Sequence, residues 1–479
     1  MEPSVLEATA STTTTTSATK VEPNNAGEKL QKVFKNDFDA KYNIVDIPTP
    51  RNAFMSGQYK CSYAYYTIRS RLPVILTNVI DRMTKDKNEL VTQFAPSNFE
   101  QSAREELKII IGFISRLKYE LQTDKPFQKF TGDEPDGELW NNFLSHLSED
   151  EGTFYRGCWL HAECYMYRKL YSFVENSIFL KQFDYFGKVK EQALVSSIDD
   201  IISLVKYTRR TEKNVEMFEE LLKFSLWANR NDDAETASLF NRKVLEDAGS
   251  ANDYILVNHS TQLWDCLENE PTQKKHLQQV DYILDNVGYE LFTDFILAEY
   301  MIEKGLTQKV RFHVKAHPWF VSDVTEHDFK WTLEYLSQHS DYIVCLIGKK
   351  FLQFLDEGKF ELAAASPFWT GPYAYHRMRD VSPDLYNSLQ QSKLIIFKGD
   401  LNYRKLMNDV CWDPTQEVTT SLSGFLPTNL CALRSIKAEV IAGLPEGVYE
   451  TLCKQDPQWM ITGNYSVIQF VDGTREFGY

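Results

Sequence analysis

One short stretch joins a carboxylate to an amide, a second ends in a carboxylate, and a third sets a cation beside a glycine. Asp285 and Asn286 follow the apolar run Tyr282-Ile283-Leu284, with Gly288 just beyond. Asp323 closes His317-Pro318-Trp319-Phe320-Val321-Ser322, which follows Val310–Val314. Lys398-Gly399-Asp400-Leu401-Asn402 follows Leu394-Ile395-Ile396-Phe397. Oxygen donors alone, or amide and carboxylate together, suit a hard divalent ion such as Mg²⁺ or Mn²⁺ rather than zinc. Lys398 offers positive charge to a phosphate, Gly399 lets backbone N–H groups approach it, and Asp400 and Asn402 can hold hydroxyls. A carboxylate-bound ion facing a lysine is a site for phosphoryl chemistry. Arg434 and Lys437 stand three apart in Leu433-Arg434-Ser435-Ile436-Lys437 and share one face if that segment is helical, where they would hold a phosphate. Every one of these residues also has a plain structural reading. An Asp or Asn after a strand is frequently a turn former or helix cap, Lys-Gly-Asp makes turns, and two cations near each other often form only a solvated face. What favours a site is that three polar clusters fall at the same edge of one sheet.

That edge exists only if the apolar runs are strands. In open α/β sheets ligands bind beyond the carboxyl ends of the strands, so the elements have to be read next. After residue 250, short runs rich in β-branched and aromatic residues alternate with amphipathic helices: Val280–Leu284, Val310–Val314, Tyr342–Ile347, Lys393–Phe397 and Tyr465–Val471. Such alternation predicts βαβ units and a mostly parallel sheet. Leu291, Phe292, Phe295, Ile296 and Tyr300 make the apolar face of a helix after the first of these strands, Thr325 is placed to cap another, and Tyr403–Met407 reads as helix. Between Tyr63 and residue 250 the helical period dominates, as in Leu107, Ile110, Ile111, Ile114 and Leu117, in Cys164–Phe173 and in Val215–Trp227. The polar burst that ends the last of these puts Asn229 and Asp232 within reach of a cleft, with helix capping as the plainer role. The expected fold is α/β: a tail over 1–27, a helical domain over 28–250 and a three-layer α/β/α, Rossmann-like domain over 251–479. An alternative is one folded unit in which first-half helices cover the sheet.

Composition narrows the function classes. With 52 Lys+Arg against 67 Asp+Glu in 479 residues the formal net charge is −15, which argues against a general nucleic-acid binder. Apolar runs such as Leu107–Leu117 are broken by charge well short of the roughly 20 residues that span a bilayer. The eight cysteines contain no CxxC pair and read as reduced core thiols. Glu2 and Glu7, without an apolar run or an Arg-rich stretch, give no secretory or transit signal, so a cytoplasmic, and also nuclear, location is expected. The threonine-rich Ser11–Ser17 belongs to a tail expected to be disordered.

Taken as motifs, Leu284-Asp285-Asn286-Val287-Gly288-Tyr289-Glu290-Leu291, Trp319-Phe320-Val321-Ser322-Asp323, Phe397-Lys398-Gly399-Asp400-Leu401-Asn402-Tyr403-Arg404-Lys405 and Arg434-Ser435-Ile436-Lys437 resemble the damage-control phosphatase family. The branch they resemble is the eukaryotic sugar phosphate phosphatase, or acidic-residue-methyltransferase-like, branch. Tyr63-Ala64-Tyr65, Arg71-Leu72-Pro73, Glu120–Pro126, Glu163–Arg168 and Leu226-Trp227 fit the same branch, so the resemblance covers most of the chain after about residue 45. It implies that Asp285, Asn286 and Asp323 are divalent-metal ligands, with Asp285 and Asn286 also touching substrate. It makes Lys398 through Asn402 a substrate-binding loop, and Lys437 the phosphate contact of an Arg-Thr-x-Lys signature in which this chain has Ser435 for Thr. Glu290 and Arg434 join the substrate side. The implied reaction is hydrolysis of sugar phosphates such as fructose 1-phosphate and fructose 6-phosphate, with Mn²⁺, Co²⁺, Ni²⁺ or Mg²⁺ as cofactor.

Two rival functions stand beside it. One is S-adenosylmethionine-dependent glutamate O-methyl transfer, an activity attached to the same branch. A methyl-donor site usually needs a glycine-rich loop after the first strand, and Asp285-Asn286-Val287-Gly288 supplies one glycine. The other is a non-catalytic interaction protein on the same fold, whose mark would be a lost site residue. Every expected ligand and both lysines are present.

Overall fold

Leu394–Lys398 is apolar at nearly every position because neither face of the strand meets water. Leu394 and Ile396 point into one buried cluster, Ile395 and Phe397 into the other. The computed structural model describes residues 37–210, 214–228, 253–269 and 278–473. The expected tail, the expected boundary near residue 250, and Asn229 and Asp232 lie outside the described residues.

Among the described residues, seven strands form one sheet: β1 (Ile255–Asn258), β2 (Gln279–Ile283), β3 (Lys309–His313), β4 (Phe360–Leu362), β5 (Leu394–Lys398), β6 (Leu430–Ser435) and β7 (Ser466–Val471). Their order is β1-β7-β6-β5-β2-β3-β4, and every pairing is parallel except β6 with β7. This is the mixed α/β, mostly parallel sheet that alternation of strands and helices predicts. Burial on both faces is what such sheets require. Asp281 is the charged residue inside β2. It takes Arg311 Nε at 2.6 Å and His313 Nε2 at 3.0 Å from the neighbouring β3. Burial alone would raise its pKa, but His313 and Arg311 outweigh it and hold the carboxyl at about 2.

The described residues form one compact unit. The helices of the first half divide between the two faces of the sheet. Leu76, Ile114, Trp159, Tyr165 and Leu170 share a cluster with Ile283, Ile395 and Phe397. Ile201, Leu204, Phe218, Leu222 and Trp227 share the other with Tyr282, Phe312 and Ile396, alongside the helices Tyr289–Glu303, Glu326–Ser337 and Tyr342–Asp356. No helix among the described residues is long and apolar enough to cross a membrane.

Two expectations change. Tyr342–Ile347 is not a strand but the start of the helix Tyr342–Asp356, N-capped by Asp341, whose Oδ1 accepts from Ile343 N at 2.8 Å. Its buried stripe, Val344, Ile347, Gly348, Phe351 and Phe354, emerges only over a window longer than the six residues read as strand. Arg434 and Lys437 do not share a helix face: Arg434 is the penultimate residue of strand β6, and Lys437 lies in the loop after it. Leu, Ala and Arg give Leu430–Ser435 a helix-like composition, and burial on both faces overrides it.

Candidate active site

The turns after β2 and β3 are zipped together. Val324 N donates to Asp285 O at 2.8 Å, Val287 N to Ser322 O at 2.9 Å, and Asn286 and Asp323 form an antiparallel bridge. The three oxygen-bearing side chains therefore issue from adjacent backbone. The second turn is strained. Phe320 and Val321 have φ of 42° and 74°, and Ser322 N closes a γ-turn onto Phe320 O at 3.0 Å. A β-branched residue with positive φ costs about 1–3 kcal/mol and persists only where its surroundings over-determine it. Here the buried Trp319, the Phe320 ring stacked on Tyr167 at 4.5 Å, and the bonds to the first turn do so. Thr325 caps the next helix as expected, in a capping box with Asp328.

Lys398 ends β5, and Gly399 follows with φ of 81°. A Cβ on Gly399 would lie 1.8 Å from Asp285 Oδ2, so the glycine is what lets this turn approach the carboxylate. Asn286 Nδ2 donates to Asp285 Oδ2 at 2.9 Å and to Glu290 Oε2 at 3.0 Å, and its Oδ1 accepts from Ser322 Oγ at 2.5 Å. Burial pushes the Asp285 carboxyl well up, and the negative charges of Glu290 and Asp323 add to this; Lys315 and Lys437 work against it. Burial likewise raises Asp323, opposed by Lys315, whose Nζ lies 3.2 Å from Oδ2, and by Lys190.

The remaining expected residues divide. Lys437 is half-buried, and its charge reaches Asp285. Arg434 is fully buried and works on its own chain. Its guanidinium stacks 4.1 Å from the Tyr403 ring, meets Asp400 Oδ1 at 2.7 Å and donates to Ala438 O and Val440 O. Asp400 Oδ1 also accepts Lys437 N at 3.1 Å, so Asp400 and Arg434 together shape the loop that carries Lys437. Asn402 is buried behind β2, with Nδ2 on Lys398 O at 2.8 Å and Oδ1 on Tyr375 OH at 2.5 Å; Leu401 lies in the core. Lys398 is buried too, with Nζ on Ser225 and Asp294.

Lys315, Ser322, Tyr375, Asp294 and Ser225 belong to this region and were not singled out by sequence. Lys315, the first residue past the run Val310–Val314, was findable as a cation at the strand edge. Ser225 and Tyr375 come from distant segments and carry no local signal. The segment Glu163–Arg168 lies behind the site: Glu163 Oε2 accepts Arg404 Nη1 at 2.6 Å, and that guanidinium lies 3.4 Å from the Trp159 ring centroid.

The donor set fits a hard divalent ion. Asp285, Asn286 and Asp323 offer two carboxylates and an amide carbonyl, and Asn286 Oδ1 keeps a second lone pair beside the one that takes Ser322. Asp323 Oδ2 is buried and, among the described residues, has no hydrogen-bond donor in good geometry. Repulsion among three buried carboxylates is what a cation relieves. No cluster of three or more His, Cys, Asp or Glu forms a closed cage among the described residues. One or two carboxylates suit an ion that shares its coordination with water and phosphate.

Comparison with known proteins gives the family. Residues 67–452 match the model of the damage-control phosphatase ARMT1-like domain. Damage-control phosphatase ARMT1 of Xenopus tropicalis is 37% identical over 435 residues, covering 87% of this chain and 98% of its own. The zebrafish (Danio rerio) protein of the same name is 37% identical over 88% of this chain and 97% of its own, and the human (Homo sapiens) one 36% identical over 87% and 98%. A solved DUF89 family protein from Pyrococcus horikoshii is a more distant likeness, 16% identical, with a TM-score of 0.40 over 82% of this chain and 96% of its own. The chain belongs to the damage-control phosphatase family, in its ARMT1-like branch.

Proposed function

We propose that this chain is a metal-dependent phosphoric monoester hydrolase acting on sugar phosphates such as fructose 1-phosphate and fructose 6-phosphate. The observation that carries this reading is the Asn286–Asp323 bridge. It sets Asp285, Asn286 and Asp323 side by side, with the positive charge of Lys437 reaching Asp285. Asp285, Asn286 and Asp323 would hold Mn²⁺, Co²⁺, Ni²⁺ or Mg²⁺. Such an ion, when bound, supplies Lewis-acid polarisation of a phosphoryl oxygen. Lys437 neutralises phosphate charge, on a loop fixed by Arg434 and Asp400. Gly399 keeps the β5 turn against Asp285.

Methyl transfer is less well supported. Gly288, the one glycine of the β2 turn, is packed by protein: a Cβ there would lie 3.3 Å from Ala193, so its backbone faces a helix rather than a cofactor.

The test is phosphate release from fructose 1-phosphate and fructose 6-phosphate with each of the four metals and with chelator, using the whole chain and Asp323→Ala. Release should require metal and fall roughly 100-fold or more in the variant, whose circular dichroism stays native. Release that survives chelator, or an Asp323→Ala protein as active as the parent, refutes the site. Methyl transfer from S-adenosylmethionine without phosphate release would favour the rival enzyme, and neither activity would favour an interaction protein.

A further inference from the structure

Lys398 has the position of a phosphate-binding lysine and the contacts of something else. Its Nζ lies 2.5 Å from Ser225 O, 2.7 Å from Ser225 Oγ, 2.8 Å from Asp294 Oδ1 and 3.3 Å from Glu290 Oε1. An ammonium has three N–H bonds, and here three oxygens of Ser225 and Asp294 take them, while Glu290 Oε1 is paired with it by charge. No donor is left over for a substrate. The surroundings leave no path either, since Ser225 and Asp294 are 0% exposed, Lys398 1% and Glu290 2%.

These contacts lead toward the ligand set. Ser225 Oγ donates to Asp294 Oδ1 at 2.7 Å, which turns its lone pair toward Lys398. Lys398 then faces one oxygen of Glu290, and the other accepts Asn286 Nδ2. The same Nδ2 bonds Asp285, while Ser322 takes the Oδ1 end. An amide held at both ends has one orientation, and that orientation decides where its remaining oxygen lone pair points. Partners behind a ligand that fix its direction typically change metal affinity or activity by about 10–100-fold when removed.

We propose that Ser225 and Asp294 are positioning residues. They hold the Lys398 ammonium against Glu290, Glu290 thereby orients the Asn286 amide for the cation, and Lys398 does not itself contact the phosphate. The proposal rests on the reading of Asn286 as a metal ligand. It also brings the helix Val215–Trp227, from the half of the chain without ligands, into the function of the site through Ser225.

The experiment measures Mn²⁺ binding by calorimetric titration of the full chain, together with kcat and KM for fructose 1-phosphate at saturating Mn²⁺. It compares the parent with Ser225→Ala, Ser225→Thr and Asp294→Asn. Ser225→Ala keeps every charge and is the variant expected to fold without difficulty. It should weaken Mn²⁺ binding and lower kcat by roughly tenfold, with KM within about twofold. Ser225→Thr, which keeps the hydroxyl, should restore most of both, and Asp294→Asn should exceed Ser225→Ala. Unchanged Mn²⁺ affinity in a variant whose melting temperature falls would make the network merely structural and overturn the proposal. A raised KM with kcat retained would return Lys398 to the phosphate and overturn it as well. If the parent neither binds Mn²⁺ nor releases phosphate, the reading of the site fails, and this inference falls with it.

Discussion

Gly399→Ala isolates the approach of the β5 turn to Asp285. Two costs can be worked out. The backbone at φ of 81° charges an L-residue about 1–2 kcal/mol. The new methyl would stand 1.8 Å from Asp285 Oδ2 and 2.3 Å from its Cγ. Since C···O contacts begin near about 3.3 Å, the carboxylate must retreat by about 1.5 Å. A misplacement of about 1 Å at a reacting centre costs on the order of 100-fold in rate. Gly305 supplies the control: it has φ of 79° and nothing within 4 Å of a built Cβ, so Gly305→Ala bears the backbone cost alone. The assay is kcat/KM for fructose 1-phosphate at saturating Mn²⁺, with urea unfolding of both variants. Gly305→Ala should lose about 1–2 kcal/mol of stability and keep the activity of the parent. Gly399→Ala should lose roughly 100-fold in kcat/KM at a comparable or somewhat larger loss of stability. Activity within about threefold of the parent, or equal losses in the two variants, would refute the argument that this glycine exists for the carboxylate.

Lys437→Ala removes a charge-assisted contact worth about 1.5–3 kcal/mol, so KM for the phosphate ester should rise roughly tenfold or more with a smaller change in kcat; an unaltered KM counts against the phosphate role. His317 is buried, and burial together with nearby Arg168 pushes it down to about 3. The unfolded chain protonates this residue near about pH 6.5, so between those values unfolding takes up a proton and stability falls on acidification, by about 1.4 kcal/mol per pH unit from this group. His317→Phe, which keeps the stack on Tyr171 at 4.7 Å, should flatten that acid limb in urea titrations between pH 6.5 and 4.5, and parallel limbs for the two proteins would contradict it.

The strand-edge residues were legible because their chemistry is local. Asp285, Asn286 and Asp323 each follow an apolar run, and parallel strands bring such positions to one end of the sheet. Lys398 was legible as a residue but its partners were not: Ser225 lies 173 residues away, and no local pattern links a lysine after a strand to a serine near the end of a helix. The same holds for Tyr375 on Asn402 and for Arg434, whose guanidinium looked like a phosphate ligand until its own loop carbonyls claimed it. Strand β6 escaped because Leu, Ala and Arg favour helices wherever burial does not decide, and Tyr342–Ile347 misled because β-branched residues open a helix whose stripe declares itself later.

The place of β7 in the sheet bears on how the chain is made. β7 runs between β6 and β1 and, among the described strands, is made last, whereas β1 is made first. Roughly two hundred residues separate them, which at about 5–20 residues per second is on the order of ten to forty seconds of translation. Throughout that interval β1 has no neighbour, and over its last roughly thirty residues, from Ser435 to Ser466, β6 presents an open edge, the condition in which nascent chains pair with the wrong strand or with each other. Folding yield should therefore depend on translation speed and on chaperones that shield strand edges, and a ribosome halted before Ser466 should release a protein unable to close its sheet.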